Sequence, residues 1–126
     1  MKSLNKIMYV EDEADIRQIA QLALEAIGGY EVLLCASGQQ ALEQALAFSP
    51  DMILLDVMMP GMDGPTTLSK LREIPALAAV PVAFMTAKVQ PDEVKQLLSL
   101  GVMDVIAKPF DPMQLAANIQ QIWDRQ

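Results

Sequence analysis

The chain has 126 residues, of which 52% are hydrophobic, and its formal net charge at pH 7 is −7. A chain of this length and apolar content can bury the core of one domain, which excludes an intrinsically disordered protein. The negative charge argues against a broad surface for nucleic acid or for an anionic membrane. We therefore expect a single domain over residues 1–126, with neither nucleic acid nor a membrane as its partner.

The cysteine and histidine content excludes several kinds of functional site. Cys35 is the only cysteine and histidine is absent, which excludes an internal disulfide, histidine-based metal sites and Ser-His catalytic triads. No apolar run approaches the roughly 18 residues of a membrane span. Residues 1–6 lack the apolar region of a signal peptide. These features predict a cytoplasmic protein.

Short apolar runs alternate with apolar residues at helical spacing along the whole chain. The apolar runs predict strands at residues 6–10, 31–35, 52–56, 81–85 and 103–107. The helical spacing predicts helices at about residues 16–27, 38–47, 65–73, 91–100 and 111–123. This alternation predicts an α/β domain with a parallel sheet, right-handed crossovers and helices on both faces.

Residues with strong positional preferences mark the predicted helix ends. Ser37 and Asp63 stand at N-cap positions, where a side-chain oxygen can accept a hydrogen bond from a free backbone N–H group. Gly28 and Gly101 stand where a helix should end. Asp111, with the proline that follows it, is expected to begin the last helix.

Asp56 ends the third predicted strand, directly after four apolar residues. Open α/β sheets bind their ligands in the crevice at the carboxyl ends of the strands, and an acid here would lie in that crevice. Taken alone, such a residue is more often an acidic cap than a functional group. The residues at the other strand ends favour the functional interpretation.

Polar side chains also follow the first, fourth and fifth predicted strands, which can lie beside the third. They are Glu11 and Asp12, Thr86, and Lys108. Three carboxylates that converge repel one another and need a cation, and oxygen ligands without histidine or thiolate suit Mg²⁺. A lysine and a hydroxyl beside them can bind a phosphoryl group, which an Asp carboxylate can accept as a nucleophile.

Four segments carry a resemblance to the receiver domains of response regulators, the phosphoacceptors of two-component signalling. They are residues 7–13, 54–64, 81–87 and 101–110, and the resemblance covers essentially the whole chain in order. It implies a doubly wound (βα)5 flavodoxin-like fold with strand order 2-1-3-4-5. It also implies a receiver that stands alone, similar to the chemotaxis response regulator.

The resemblance implies an acceptor and its metal ligands. Asp56 would be phosphorylated by a histidine kinase or a phosphotransfer protein. Asp12 would bind Mg²⁺ directly and Glu11 directly or through water, together with Asp56 and the backbone carbonyl of Met58. The chain would not be an enzyme in the usual sense, although Mg²⁺-dependent self-phosphorylation from acyl phosphates and self-dephosphorylation are expected.

The resemblance also implies how the product would be read. Thr86 would donate a hydrogen bond to the phosphoryl group and Lys108 would pair with it, with a cis peptide bond between Lys108 and Pro109. The face formed by the fourth helix, the fifth strand and the fifth helix would then change its protein partners. We expect a monomer or a weak dimer.

The sequence departs from the family pattern at Val105. Receivers place a tyrosine or phenylalanine there, three residues before the lysine, and that ring turns inward after phosphorylation. A valine cannot make this rotation. Either the switch is muted, or another side chain such as Phe84, Met85 or Met103 provides the coupling. The first acid is also a glutamate, Glu11, and should still serve the metal.

Two other functions remain open from the sequence. One is a degenerate receiver-like interaction module that is never phosphorylated, which Val105 would favour. The other is a small phosphatase with an Asp nucleophile, which is disfavoured because Met58 stands where such enzymes carry a second Asp. A nucleotide-binding protein is excluded by the absence of a Gly-rich phosphate loop.

Overall fold

The computed structural model describes residues 2–126, in which strands and helices alternate. The strands are β1 Lys6–Val10, β2 Glu31–Cys35, β3 Met52–Asp56, β4 Val82–Thr86 and β5 Asp104–Ala107. The α-helices are α1 Ala14–Leu22, α2 Gly38–Phe48, α3 Gly64–Arg72, α4 Pro91–Leu98 and α5 Leu115–Asp124.

The strands form one parallel sheet in the order β2-β1-β3-β4-β5, as predicted. Every residue of β3 and of β4 is buried. A parallel sheet covered by helices on both faces demands such apolar central strands, and this explains why their sequences read as continuous apolar runs.

Alternate residues of the central strands contribute to two apolar layers, because successive side chains of a strand point to opposite faces. Val10 and Leu55 pack in the layer that also holds Leu68 of α3. Tyr9 and Leu54 pack in the opposite layer, which holds residues of α1 and α5. Helices therefore pack on both faces of the sheet, and the carboxyl ends of its strands lie between these two layers.

Asp51 ties the beginning of β3 to the amino-terminal segment. Its Oδ2 atom accepts hydrogen bonds from the backbone N–H groups of Asn5 at 2.9 Å and Lys6 at 2.8 Å. Its Oδ1 atom lies 2.9 Å from Nζ of Lys2. Burial acts to raise the pKa of Asp51, but these partners outweigh it and lower that pKa.

Most predicted helix ends are confirmed and a few differ. Ser37 and Asp63 accept the capping hydrogen bonds expected of them, from the N–H groups of Gln40 and Thr66. The last helix begins later than predicted, at Leu115, because the residues after Asp111 first form a turn that its carboxylate and carbonyl oxygens hold.

Smaller differences concern the ends of other elements. The helix α4 ends at Leu98 rather than at residue 100, and Gly101 follows with a φ of 91°. The strands β4 and β5 each begin one residue later than predicted. The helix α1 continues as a π-helix over Ala23–Ile27, which the helical spacing of apolar residues did not reveal.

No helix within residues 2–126 is both long enough and apolar enough to cross a membrane. The cytoplasmic location expected from the sequence stays a prediction.

Replacing Gly64 by alanine should destabilise the fold strongly. The new Cβ would lie 2.5 Å from the carbonyl oxygen of Asp56 and 2.8 Å from Cα of Val57, so backbone must move. We expect a loss near the upper end for overpacking, about 3 kcal/mol, in urea denaturation. Gly61→Ala is the control. Gly61 has a φ of 78°, but apart from its chain neighbours no atom of residues 2–126 would lie within 4 Å of the new Cβ. This variant should lose about 1 kcal/mol, and equal losses would contradict the packing argument.

Candidate functional site

The polar residues singled out in the sequence lie along one edge of the sheet. Asp56 and Thr86 are the last residues of β3 and β4, Glu11 directly follows β1, and Lys108 directly follows β5. The parallel register places these four strand ends side by side. Glu11, Asp56 and Thr86 are almost completely buried, with exposed fractions of 0%, 3% and 3%.

Lys108 joins two of the acids. Its Nζ atom lies 2.8 Å from Oε1 of Glu11 and 3.2 Å from Oδ1 of Asp56. The peptide bond between Lys108 and Pro109 is cis, as expected. A buried carboxylate without a partner is costly, so this one ammonium group compensates two charges that the fold has removed from water.

Glu11, Asp12 and Asp56 form a group that fits a cation. Each offers a carboxylate oxygen, and these oxygens lie within 4.8 Å of one another. Hard oxygen ligands with no nitrogen or sulfur suit Mg²⁺. Lys108 contacts two of the three acids, so it would compete with a metal ion for their oxygens. Met58 is 60% exposed. Its thioether is not a ligand that Mg²⁺ favours, so its backbone carbonyl is the group that it could contribute.

The two buried acids differ in their affinity for protons. Burial raises the pKa of Asp56 to about 6, the charge of Glu11 adds to the increase, and Lys108 opposes it. Burial also acts to raise the pKa of Glu11, but hydrogen bonds from Lys108 and from the N–H group of Glu13 outweigh it and lower that pKa. Asp56 is therefore the acid whose charge the site tolerates least.

Lys108 is held in its charged form. Burial acts to lower its pKa, but the contacts with Glu11 and Asp56 outweigh this effect and raise that pKa. At neutral pH the site therefore presents a fixed positive charge beside a carboxylate that is close to its own titration range.

Thr86 does not contact Asp56 through a hydrogen bond in this structure. Its Oγ1 atom accepts a hydrogen bond of 3.0 Å from the N–H group of Lys88. A hydroxyl can accept and donate at the same time, so the proton of Thr86 stays free for a further acceptor.

Val105 lies on β5 beside Phe84 of β4 and packs, partly buried, against the layer of α2, α3 and α4. Phe84 and Met85 are fully buried. The structure does not distinguish among Phe84, Met85 and Met103, so the side chain that couples the site to the surface stays a prediction.

Two residues near the site were not singled out from the sequence. Arg17 of α1 donates a hydrogen bond of 2.7 Å from Nη1 to the backbone carbonyl of Glu11, which holds the loop that carries the acids. Tyr9, two residues before Glu11, is fully buried, and its hydroxyl has no hydrogen-bond partner among residues 2–126. Its polar atom within an apolar strand was the signal that could have identified it.

Comparison with known proteins identifies related sequences over nearly the whole chain. The family model described as response regulator receiver domain matches residues 7–120. The phosphate regulon transcriptional regulatory protein PhoB of Pseudomonas aeruginosa is 38% identical over 119 residues, which are 94% of this chain and 52% of that protein. The alkaline phosphatase synthesis transcriptional regulatory protein PhoP of Bacillus subtilis is 36% identical over 95% of this chain and 49% of that protein.

Solved structures show the same fold. The chemotaxis protein CheY4 of Vibrio cholerae superposes with a TM-score of 0.87 at 29% identity, covering 95% of this chain and 99% of that one. A response regulator from Desulfuromonas acetoxidans gives a TM-score of 0.85 at 27% identity, covering 96% and 98%. The chain spans about half the length of the curated relatives it matches, so the expectation of a lone domain stays a prediction.

In metal-free buffer, Asp56→Asn should stabilise the fold at pH 8. The folded pKa of about 6 exceeds the ordinary 3.8, so the folded protein disfavours the ionised acid, and the wild type bears this penalty fully above about pH 6. We expect a gain on the order of 1–3 kcal/mol in chemical denaturation. The gain should vanish as the pH falls from 6 to 4, because the folded carboxyl then takes up a proton.

Asp51→Asn is the matched control for this experiment, since Asp51 is a buried acid at the other end of β3. Its pKa is lowered, so its ionised form stabilises the fold above the ordinary pKa. This variant should lose stability at pH 8. A gain for Asp56→Asn that is the same at pH 4 and pH 8 would contradict the electrostatic explanation.

Proposed function

The chain belongs to the response-regulator receiver-domain family of two-component signalling, and we propose that it accepts a phosphoryl group on Asp56 from a phosphohistidine. The donor would be a histidine kinase or a phosphotransfer protein. The observation that carries this proposal is the contact of Lys108 with both Asp56 and Glu11 at the carboxyl edge of the sheet.

The transfer would begin with attack of an Asp56 carboxylate oxygen on the phosphorus atom. The bond between phosphorus and the donor imidazole breaks as the new P–O bond forms, so the imidazole leaves and an acyl phosphate remains on Asp56. Receiver domains bind Mg²⁺ at their acidic pocket, and this ion supplies positive charge for the phosphoryl oxygens. Glu11, Asp12, Asp56 and the Met58 carbonyl are the groups that would hold it.

Lys108 and Thr86 are suited to bind the product. The ammonium group of Lys108 already lies 3.2 Å from the acceptor carboxylate and can follow the added phosphoryl charge. The hydroxyl of Thr86 can donate to a phosphoryl oxygen while it still accepts from the N–H group of Lys88. Phosphorylation would therefore pull the loop after β4 towards the site.

The output is proposed to pass through the face of α4, β5 and α5. A dianionic phosphoryl group close to Lys108 and Thr86 would favour one of two conformations of this face, as in other switches that respond to an added charge. Val105 provides no ring for the usual rotation. Binding of a protein partner to this face, and any self-association through it, would then depend on the position of the loop after β4.

A module that is never phosphorylated is the second candidate, since Val105 favours it. Asp56 argues against that alternative. It is a buried acid with a raised pKa beside a charged lysine, and burying its charge lowers the stability of the fold. A domain with a purely structural role would gain nothing from that loss of stability.

Incubation with Mg²⁺ and acetyl phosphate should add one phosphoryl group to the wild type, measured as intact mass. Asp56→Asn should gain none, since it has no carboxylate to attack. Asp51→Asn is the control and should be labelled like the wild type, because Asp51 lies at the opposite end of β3. Chelation of Mg²⁺ should reduce the labelling. Equal labelling of wild type and Asp56→Asn would contradict the proposed acceptor.

If Val105 mutes the switch, beryllofluoride with Mg²⁺ should shift amide NMR signals strongly around Asp56 and Thr86 but weakly over α4 and α5. Val105→Tyr should enlarge the shifts over α4 and α5, because a ring can then turn between two positions. Large shifts over α4 and α5 in the wild type would show that another side chain carries the coupling.

A further inference from the structure

Tyr9 carries a hydroxyl that packing alone does not explain. Its side chain is fully buried, and within residues 2–126 its Oη is the one buried side-chain nitrogen or oxygen atom found without a hydrogen-bond partner. Leaving such a group unsatisfied is unfavourable. A phenylalanine would fill nearly the same space without this cost.

The position of Tyr9 relates it to the acids. Tyr9 precedes Glu11 by two residues, and the N–H group of Glu11 continues the sheet pairing by donating to the carbonyl of Cys35. Both side chains therefore lie on the same face of the sheet. The ring of Tyr9 packs in the apolar layer with Leu54, which precedes Asp56 by two residues and lies opposite Tyr9 in the sheet register. The Tyr9 side chain therefore lies in the row directly beneath the carboxylates of Glu11 and Asp56.

The electrostatics agree with this placement. Burial, followed by the negative charges of Glu11 and Asp56, raises the pKa of Tyr9 well above its usual range. The hydroxyl is thus a neutral donor at any physiological pH, and it lies close enough to both acids to sense their charge.

Glu11 is the acid that needs a further donor. Its carboxylate is fully buried and has two partners, Nζ of Lys108 on Oε1 and the N–H group of Glu13 on Oε2. A carboxylate can accept about four hydrogen bonds. A cation held among the three acids would repel the ammonium group of Lys108, and Glu11 would then lose its charged donor.

We propose that Tyr9 is a positioning residue of this metal site, whose hydroxyl donates a hydrogen bond to the Glu11 carboxylate when Mg²⁺ displaces Lys108. The hydrogen bond would orient Glu11 towards the ion and satisfy two buried groups at once. Outer hydrogen bonds of this kind fix the orientation of carboxylate ligands. The inference deepens the proposed function and rests on it for the identity of the cation.

Tyr9→Phe tests the inference through Mg²⁺ binding, measured by calorimetry without any phosphoryl donor. The variant should bind Mg²⁺ about 10- to 150-fold more weakly than the wild type, the effect of one hydrogen bond to a charged group. Its urea midpoint without Mg²⁺ should be unchanged or higher, because the unsatisfied hydroxyl is gone. A purely structural role would lower the midpoint and leave Mg²⁺ affinity unchanged.

Tyr30→Phe is the matched control. The hydroxyl of Tyr30 donates to Oε1 of Gln120 at 2.7 Å, between β2 and α5 and away from the acids. This variant should lose stability and keep the Mg²⁺ affinity of the wild type. In the wild type, Mg²⁺ should shift the ring signals of Tyr9 in NMR spectra and leave those of Tyr30 in place.

The outcomes separate this inference from the proposed function. Equal Mg²⁺ affinity of Tyr9→Phe and wild type, with normal labelling of Asp56, would overturn the inference alone. Weaker Mg²⁺ binding by Tyr9→Phe in a protein that is never labelled would support the inference and overturn the proposed function. If Tyr9→Phe does not fold, unshifted Tyr9 signals in the wild type would overturn the inference.

Discussion

The ammonium group of Lys108 between two buried carboxylates is the interaction on which the site depends. Glu11 and Asp56 lose their hydration on folding, and an unpaired buried charge costs several kcal/mol. The three groups lie at the carboxyl ends of three different strands, and only the order of the assembled sheet brings them together. The cluster therefore forms when the topology is complete, which makes the chemistry a property of the whole fold and not of one loop.

Sequence patterns predicted the sheet well. The central strands β1 and β3 are largely buried and appear in the sequence as apolar runs, and the predicted bounds of β1, β2 and β3 are those of the structure. Sequence patterns predicted the start of α5 less well. Asp111 and the proline after it are favourable for a helix start, but the hydrogen bonds of Asp111 stabilise a turn there instead. Local preference could not decide between these two uses of the same residue.

The site shows the same limit. Acids at strand ends indicated which residues converge, since parallel strands share an edge. The sequence could not indicate that Glu11 would have a lowered pKa and Asp56 a raised one, because that division depends on which oxygen atoms receive Lys108 and the N–H group of Glu13. The sequence places the hydroxyl of Tyr9 in an apolar strand, but it could not indicate that this hydroxyl would have no partner among residues 2–126, since that depends on the surrounding side chains.

The strand β3 carries a buried aspartate at each end, and the two have opposite effects. Asp51 contacts three donors, has a lowered pKa and anchors the amino-terminal segment. Asp56 shares one lysine with a second acid and has a raised pKa. If Asp56 is the phosphoacceptor proposed above, stability and activity make opposite demands within a single strand. Substitutions that strengthen the contacts of Asp51 would then leave the acceptor intact, whereas those that remove the unfavourable charge of Asp56 would also remove the proposed nucleophile.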